Sequence, residues 1–201
     1  MRVCPDPVRR GSDHHADERR APDLTASKDG GSDRIAPVTT RDGLTEAQRV
    51  AFDAVAGSRG AVVGPFTVLL HRPELASAAE AMGGYLRYGS PLDPAVREAV
   101  ILTVATLLEC RFEQHAHDPI ARKAGVDVDA LHAGRIERLP ENVRVAVELA
   151  RRLTTEHRIP DELFARARVH FGEPVLLDLI ALVGYYSMLA AVLNGYEVTP
   201  G

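Results

Sequence analysis

Apolar residues along this chain recur at helical spacing, and strand-like alternation is weak throughout. In "LTEAQRVAFDAVAG", Thr45 stands as an N-cap and Gln48, three residues on, completes a capping box, so a helix is expected to begin there and stop near Gly57. Gly64 and Pro65 then open a loop into a short apolar run, and Glu74 to Arg87 reads as the next helix. Asp93 followed by Pro94 is the clearest helix start in the chain, because Asp caps well and proline at the first helical position lacks an N–H that would be unused anyway. The stretch that follows, "AVREAVILTVATLLE", has no breaker and is largely apolar apart from Arg97 and Glu98, as a buried central helix requires. A further helix runs to Gly125, a natural C′ residue. Beyond it come a short helix in "DVDALHAGR", a long amphipathic one from Glu141 to His157, one from Pro160 to Phe171 ending at Gly172, and a very apolar one from Pro174 to Asn194. The reading is all-α, with roughly seven or eight helices.

Composition narrows the class. Residues 1–42 are rich in Asp, Arg, Gly, Ser and Pro and show no period, so they read as a disordered extension that cannot offset its ordering entropy; His14 and His15 within it are solvated side chains on this reading. Residues 43–201 then form one helical domain. A net charge of -4 gives no basic footprint for nucleic acid. No apolar stretch is read as approaching the roughly 20 uncharged residues of a membrane span, nor does the N-terminus carry a signal-like apolar segment, so no membrane partner and a cytoplasmic location are expected. The only cysteines are Cys4 and Cys110, and Cys110 is read as a free thiol.

The chemistry gathers in "ECRFEQHAHDPIARKAG", residues 109–125. At about 100° per residue, Glu113 lies about 300° and His117 about 340° from Cys110, so these three share a helix face, while His115 points about 140° away. His-x-His is a good chelate on a strand and a poor one on a helix, and Glu113 with His117 would need a third ligand from elsewhere, so no metal is expected. A carboxylate one turn from an imidazole orients it and raises its proton affinity, which makes an acid/base pair; the plain alternative is an ordinary i, i+4 contact on a wet face. Pro119 should loosen the helix at the carbonyl of His115. Glu98, inside an apolar helix, needs a partner. A chain reversal at Cys110 would offer it His117, and Arg97 or a neighbouring subunit is the alternative. Tyr185 and Tyr186 are candidates for the cavity wall, as are Phe66 and His71; His132, His157 and His170 fall on surface-like positions.

"GPFTVLLHRPELA", "LRYGSPLDPAVREAVILTVATLLECRFEQHAHDPIARKAGV" and "LVGYYSMLAAVLNGYEV" together resemble the carboxymuconolactone decarboxylase family, which includes the alkylhydroperoxidase D-like proteins. The resemblance implies an alkylhydroperoxidase D-like helical domain with a central antiparallel helix hairpin, symmetric oligomers such as trimers or hexamers, and cofactor-free chemistry on small organic acids or lactones. The peroxidase branch has a helix glutamate followed by Cys-x-x-Cys-x-x-x-His; Glu98, Cys110 and His117 match it, but Glu113 stands where the attacking cysteine should be. The resemblance thus points to the branch without Cys-x-x-Cys, with Gln114 in place of the usual Trp. Three readings follow. The first is a cofactor-independent enzyme in which His117, Glu113 and Glu98 carry out decarboxylation, isomerisation or ring opening of a small lactone, cyclic ketone or organic acid. The second is a single-cysteine peroxidase using Cys110. The third is a non-catalytic helical oligomer that binds a metabolite, with His115, Tyr185, Tyr186, Phe66 and His71 as candidate binding residues in any of the three.

Overall fold

The computed structural model describes Ser32 and residues 34–200, and every regular element among them is helical. In order these are α1 (Glu46–Arg59), α2 (Pro65–Leu69), α3 (Pro73–Gly84), a π-helical turn (Tyr85–Gly89), α4 (Pro94–Leu107), α5 (Arg111–Lys123), α6 (Val128–His132), a 3-10 turn (Ile136–Arg138), α7 (Glu141–Glu156) and α8 (Asp161–Gly195). Cys4, His14 and His15 lie outside the described residues.

Local signals place the ends. The Thr45 capping box forms in both directions, with Gln48 N donating to Thr45 Oγ1 at 3.3 Å and Thr45 N to Gln48 Oε1 at 3.1 Å. α1 nonetheless continues past Gly57 to Arg59, whose guanidinium makes a buried ion pair with Glu80 of α3; Gly60, at φ 82°, ends it instead. Asp93 caps α4 as expected, accepting from Ala95 N at 2.9 Å and Val96 N at 3.2 Å. α5 closes in a Schellman motif, with Gly125 at φ 87°, Val126 N on Ala121 O at 3.0 Å and Gly125 N on Arg122 O at 3.0 Å. It stays helical through Pro119: the expected loosening does not break the helix, because Pro119 and His115 are both exposed and water can serve the carbonyl left without a partner.

The helix read over Glu74–Arg87 turns out different. Its α-helical part ends at Gly84, and the chain widens into the π-turn, closed by Ser90 N on Tyr85 O at 2.7 Å. Single π-turns are often found at functional sites, since the wider turn re-aims the side chains it carries.

α4 is the centre of the protein. It is buried on all sides from Glu98 to Ala105 and packs against α5, α7 and α8. At its end Glu109 takes a left-handed conformation, φ 53°, and Cys110 N bonds Ala105 O at 2.8 Å. α5 then returns along α4: Gln114 Nε2 reaches Ala105 O at 3.1 Å, and His117, further from the turn, reaches Glu98. α8 is interrupted at Gly172, φ 71° and ψ 162°, where the sequence pattern separates two helices. Its second part corrects one expectation. By length and composition α8 is long and apolar enough to cross a membrane, but in this fold Leu176, Leu179, Leu182, Leu189 and Leu193 with Tyr185 and Tyr186 are buried, and the helix packs on α4 and α7.

The described part of the region before residue 43 is irregular and attached. Val38 N donates to Thr67 O at 2.9 Å, Arg34 reaches Gly195 O at 2.8 Å and pairs with Glu197, and Nε2 of His71 donates to Ala36 O at 2.9 Å.

Gly64 shows how tightly α2 is set against α5. At φ 57° and ψ -130° it occupies a region that side chains avoid, and a Cβ there would stand 2.5 Å from the Phe112 ring. Gly64→Ala is therefore expected to destabilise the protein by about 2 kcal/mol or more, read as a lower denaturation midpoint at unchanged slope.

Candidate functional site

The site begins with one carboxylate. Glu98 has 0% of its surface exposed, which is tolerable only with partners. It has two. Oε2 lies 2.6 Å from His117 Nδ1 across the α4–α5 contact, and Oε1 accepts from Arg97 Nε at 3.1 Å. Both partners left open by the sequence, His117 and Arg97, are therefore engaged. Arg97 also donates from Nη1 to the carbonyl of Arg87 at 2.9 Å, tying the π-turn to the same carboxylate.

The other end of the imidazole faces two more groups. His117 Nε2 is 3.3 Å from Glu113 Oε2, one helical turn away, and 3.4 Å from the Tyr186 hydroxyl on α8. The Tyr186 ring stands edge-on to the imidazole, centroids 5.3 Å apart and planes at 88°, and Tyr185 packs at 5.4 Å on Tyr186 in the same manner. Protonated, Nε2–H can donate to Glu113; neutral with the proton on Nδ1, Nε2 can accept from Tyr186. The site thus holds either protonation state without leaving a ring nitrogen bare.

Electrostatics favours the charged state. Burial opposes it, but the charge of Glu98 and the hydrogen bonds that the ring donates to Glu113 and Glu98 outweigh that and raise the His117 pKa above its ordinary value. For Glu98 burial pushes the other way too, yet the charge and hydrogen bond of His117, with Arg87 and Arg97 behind it, hold its pKa down at about 2. Burial drives the Tyr186 hydroxyl well above the usual tyrosine value, and Tyr185 up to about 12, so both remain protonated donors at neutral pH.

Beside this group lies a cavity of about 550 Å³ counting its open mouth. Glu113, His117, Phe112, Ala116 and Ile120 enter it from α5, Phe66 and Pro65 from α2, Tyr186 and Leu189 from α8. Two arginines complete it. Arg59 is paired with Glu80, with its guanidinium 4.4 Å over the Phe66 ring and Nη2 3.5 Å from the Tyr185 hydroxyl. Arg87 comes from the π-turn.

Of the residues singled out by sequence, the structure brings Glu98, Glu113 and His117 into one bonded group and puts Phe66 and Tyr186 on the cavity wall. Tyr185 stands behind Tyr186 and does not line the cavity. The structure does not bring His115 or His71 there: His115 is exposed on the far side of α5, as its helical angle requires, and His71 is exposed and bonded to Ala36. Gln114, at the position of the family's usual Trp, serves the Ala105 carbonyl. Cys110 shares the face of Glu113 in projection, but at the N-cap it sinks among Ala105, Ala190 and Leu193, 0% exposed, and burial pushes its thiol pKa up. That setting keeps it a protonated thiol. Arg59 and Arg87 were missed by sequence reasoning, because no local spacing ties either to Glu113 and His117 and only the tertiary fold carries them to α5. Among the described residues no group of three His, Cys, Asp or Glu is disposed to hold a metal ion.

Comparison with known proteins agrees with this architecture. Residues 73–150 match the model of the Carboxymuconolactone decarboxylase family. An uncharacterized protein of Bacillus subtilis (strain 168), YdfG, is 29% identical over 100 residues, which covers 47% of this chain and 68% of that protein. Among solved structures, the chain is similar to an uncharacterized peroxidase-related protein with an alkylhydroperoxidase AhpD core from Ralstonia eutropha JMP134, at TM-score 0.70 and 21% identity over 84% of this chain and 92% of that one. A second, an uncharacterized peroxidase-related protein from Silicibacter sp. TM1040, gives TM-score 0.68 at 21% identity over 86% and 96%. The fold is thus that of the alkylhydroperoxidase D core, all-α as expected.

Two measurements check the site. The raised His117 contributes stability that is fully present below its unfolded pKa of about 6.5 and lost as pH rises through the folded value; the depressed Glu98 contributes above about 4.5 and loses it as pH falls toward its folded value. Glu98→Gln is accordingly expected to lower the His117 midpoint in an NMR titration and to cost about 3 kcal/mol or more between those limits, with the deficit narrowing at alkaline pH; an unmoved midpoint contradicts the assignment. In a Cys4→Ser background, Cys110 should react with a disulfide reagent only on unfolding, and prompt native labelling would show the thiol to be accessible.

Proposed function

We propose that this chain, which carries a carboxymuconolactone decarboxylase family segment over residues 73–150, is a cofactor-independent enzyme using general acid/base chemistry at His117. The substrate class is a small lactone, cyclic ketone or organic acid. The single observation that carries this reading is the imidazole bound at Nδ1 by a buried carboxylate and presented at Nε2 to a cavity. Glu98 fixes which nitrogen is protonated and supports the positive ring. Nε2 is then the end that exchanges a proton with substrate, in the way an oriented histidine serves in catalytic triads.

Three reactions need little more. In a decarboxylation the electron pair of the broken C–C bond moves onto an adjacent carbonyl as carbon dioxide leaves, and Nε2–H delivers a proton to the enolate carbon. In an isomerisation Glu113 takes a proton from the carbon beside the carbonyl and His117 returns one to the far end of the enolate. In ring opening, water gives a proton to Glu113 as it adds to the lactone carbonyl, the acyl C–O bond breaks, and His117 protonates the departing ring oxygen. Tyr186, a donor held protonated, sits where it can stabilise the developing oxyanion. The same reading takes residues 43–201 as the catalytic unit, with residues 1–42 as an extension, and assigns a cytoplasmic homo-oligomer.

A second reading draws on the peroxidase-related relatives: a thiol peroxidase in which the Cys110 sulfur attacks the peroxide, breaking the O–O bond, and an external thiol reduces the resulting sulfenic acid. It requires Cys110 to become exposed, and loss of thiol-dependent peroxide consumption in Cys110→Ser is its test.

For the acid/base reading, a panel of lactones, cyclic ketones and carboxylic acids in deuterated water reports proton transfer as deuterium incorporation, even without net turnover. His117→Ala should lower incorporation about 100- to 10,000-fold while circular dichroism and the thermal transition show a folded protein. Exchange at the wild-type rate in that variant would overturn the assignment.

A further inference from the structure

One cation in the cavity makes no direct ion pair among the described residues, although the charges of Glu98 and Glu113 act on it. Arg97 is paired with Glu98, Arg59 with Glu80, and His117 with Glu98 and Glu113. Arg87 lines the same cavity, yet among the described residues its side chain makes no ion pair or hydrogen bond, and its Nε is buried and unsatisfied. Its one recorded ring contact is the Tyr88 face, 5.3 Å from the guanidinium carbon. A buried guanidinium N–H without an acceptor is costly, more so than a neutral donor. The chain maintains it deliberately: the π-turn aims Arg87, and Arg97 holds that turn through the Arg87 carbonyl. With His117 protonated, the group contains Arg87, Arg97 and His117 against Glu98 and Glu113, which leaves one positive charge for a ligand to neutralise.

We infer that Arg87 is the anchor for a carboxylate on the substrate, received at its terminal nitrogens, so that the enzyme selects small anionic substrates. This rests on the reading of the cavity as the reacting site. A carboxylate held by the terminal nitrogens neutralises the guanidinium and fixes one end of a small molecule, leaving the rest of it toward Glu113, His117 and Tyr186. The apolar lining from Phe66, Phe112, Ile120 and Leu189 suits a compact hydrocarbon or ring behind the anion. It also dries the site, which strengthens the charge pair.

The test uses 2-furoate and its neutral isostere 2-furamide as probes of the intact protein, by calorimetry and by the imidazole NMR signals of His117. Wild type should bind furoate saturably and more tightly than furamide, with the His117 signals shifting. Arg87→Met should weaken furoate about 10- to 100-fold, Arg87→Lys less, and neither should alter furamide. Equal binding of the two probes by wild type, an absence of saturable furoate binding, or unchanged furoate affinity in Arg87→Met would each overturn the assignment; the first two need no variant to fold. His117→Ala should still bind furoate. If that variant keeps its exchange activity while furoate binding depends on Arg87, the acid/base role falls and the anion site stands.

Discussion

A carboxylate without solvent exposure in the middle of an apolar helix imposes terms on everything around it. Glu98 must be ionised among neighbours that can bear the charge, and the structure answers with an imidazole from α5 on one oxygen and a guanidinium from the preceding residue on the other. Because His117 has to arrive at that point, α5 has to return along α4. The turn accepts a left-handed non-glycine residue to make it do so. Breaking such a buried pair is more damaging than never having built it, since one charge is then left alone in the interior. The pair therefore marks a commitment to a polar centre where leucines would have been more stabilising.

How much of this could be read beforehand depends on the range of the interaction. The caps at Thr45 and Asp93 and the Schellman end at Gly125 rest on contacts within a few residues, and all three were legible. So was the shared face of Glu113 and His117, because helical angle is a local property. The same rule misplaced Cys110 in depth: the angle gave its face, but not that the first turn of α5 would be sunk among Ala105, Ala190 and Leu193. The π-turn was not legible, since the helical pattern of Glu74 to Arg87 resumes across Gly83 and Gly84 and a glycine pair does not by itself specify a widened turn. Arg87 and Arg59 became visible only once α1, the π-turn and α5 were assembled around one space.

The relation between the two faces of His117 gives the site its chemical character. Nδ1 is closed off against a carboxylate that stays charged down to strongly acidic pH, so that nitrogen is a fixed point. Nε2 meets a second carboxylate and a phenol that remains protonated, one able to accept and the other to donate. A proton brought to or taken from this nitrogen always has a neighbour suited to the result, and the ring need not turn.

The proton-handling centre and part of the cavity wall come from different parts of the chain. Glu98, Glu113, His117 and Arg87 fall within residues 73–150, while Arg59, Val63, Pro65, Phe66 and Leu189 lie outside them, and Tyr186 alone reaches from that outer set to the imidazole. A protein built this way can exchange Val63, Pro65, Phe66 or Leu189 and reshape its cavity while Glu98, Glu113 and His117 keep their contacts with one another.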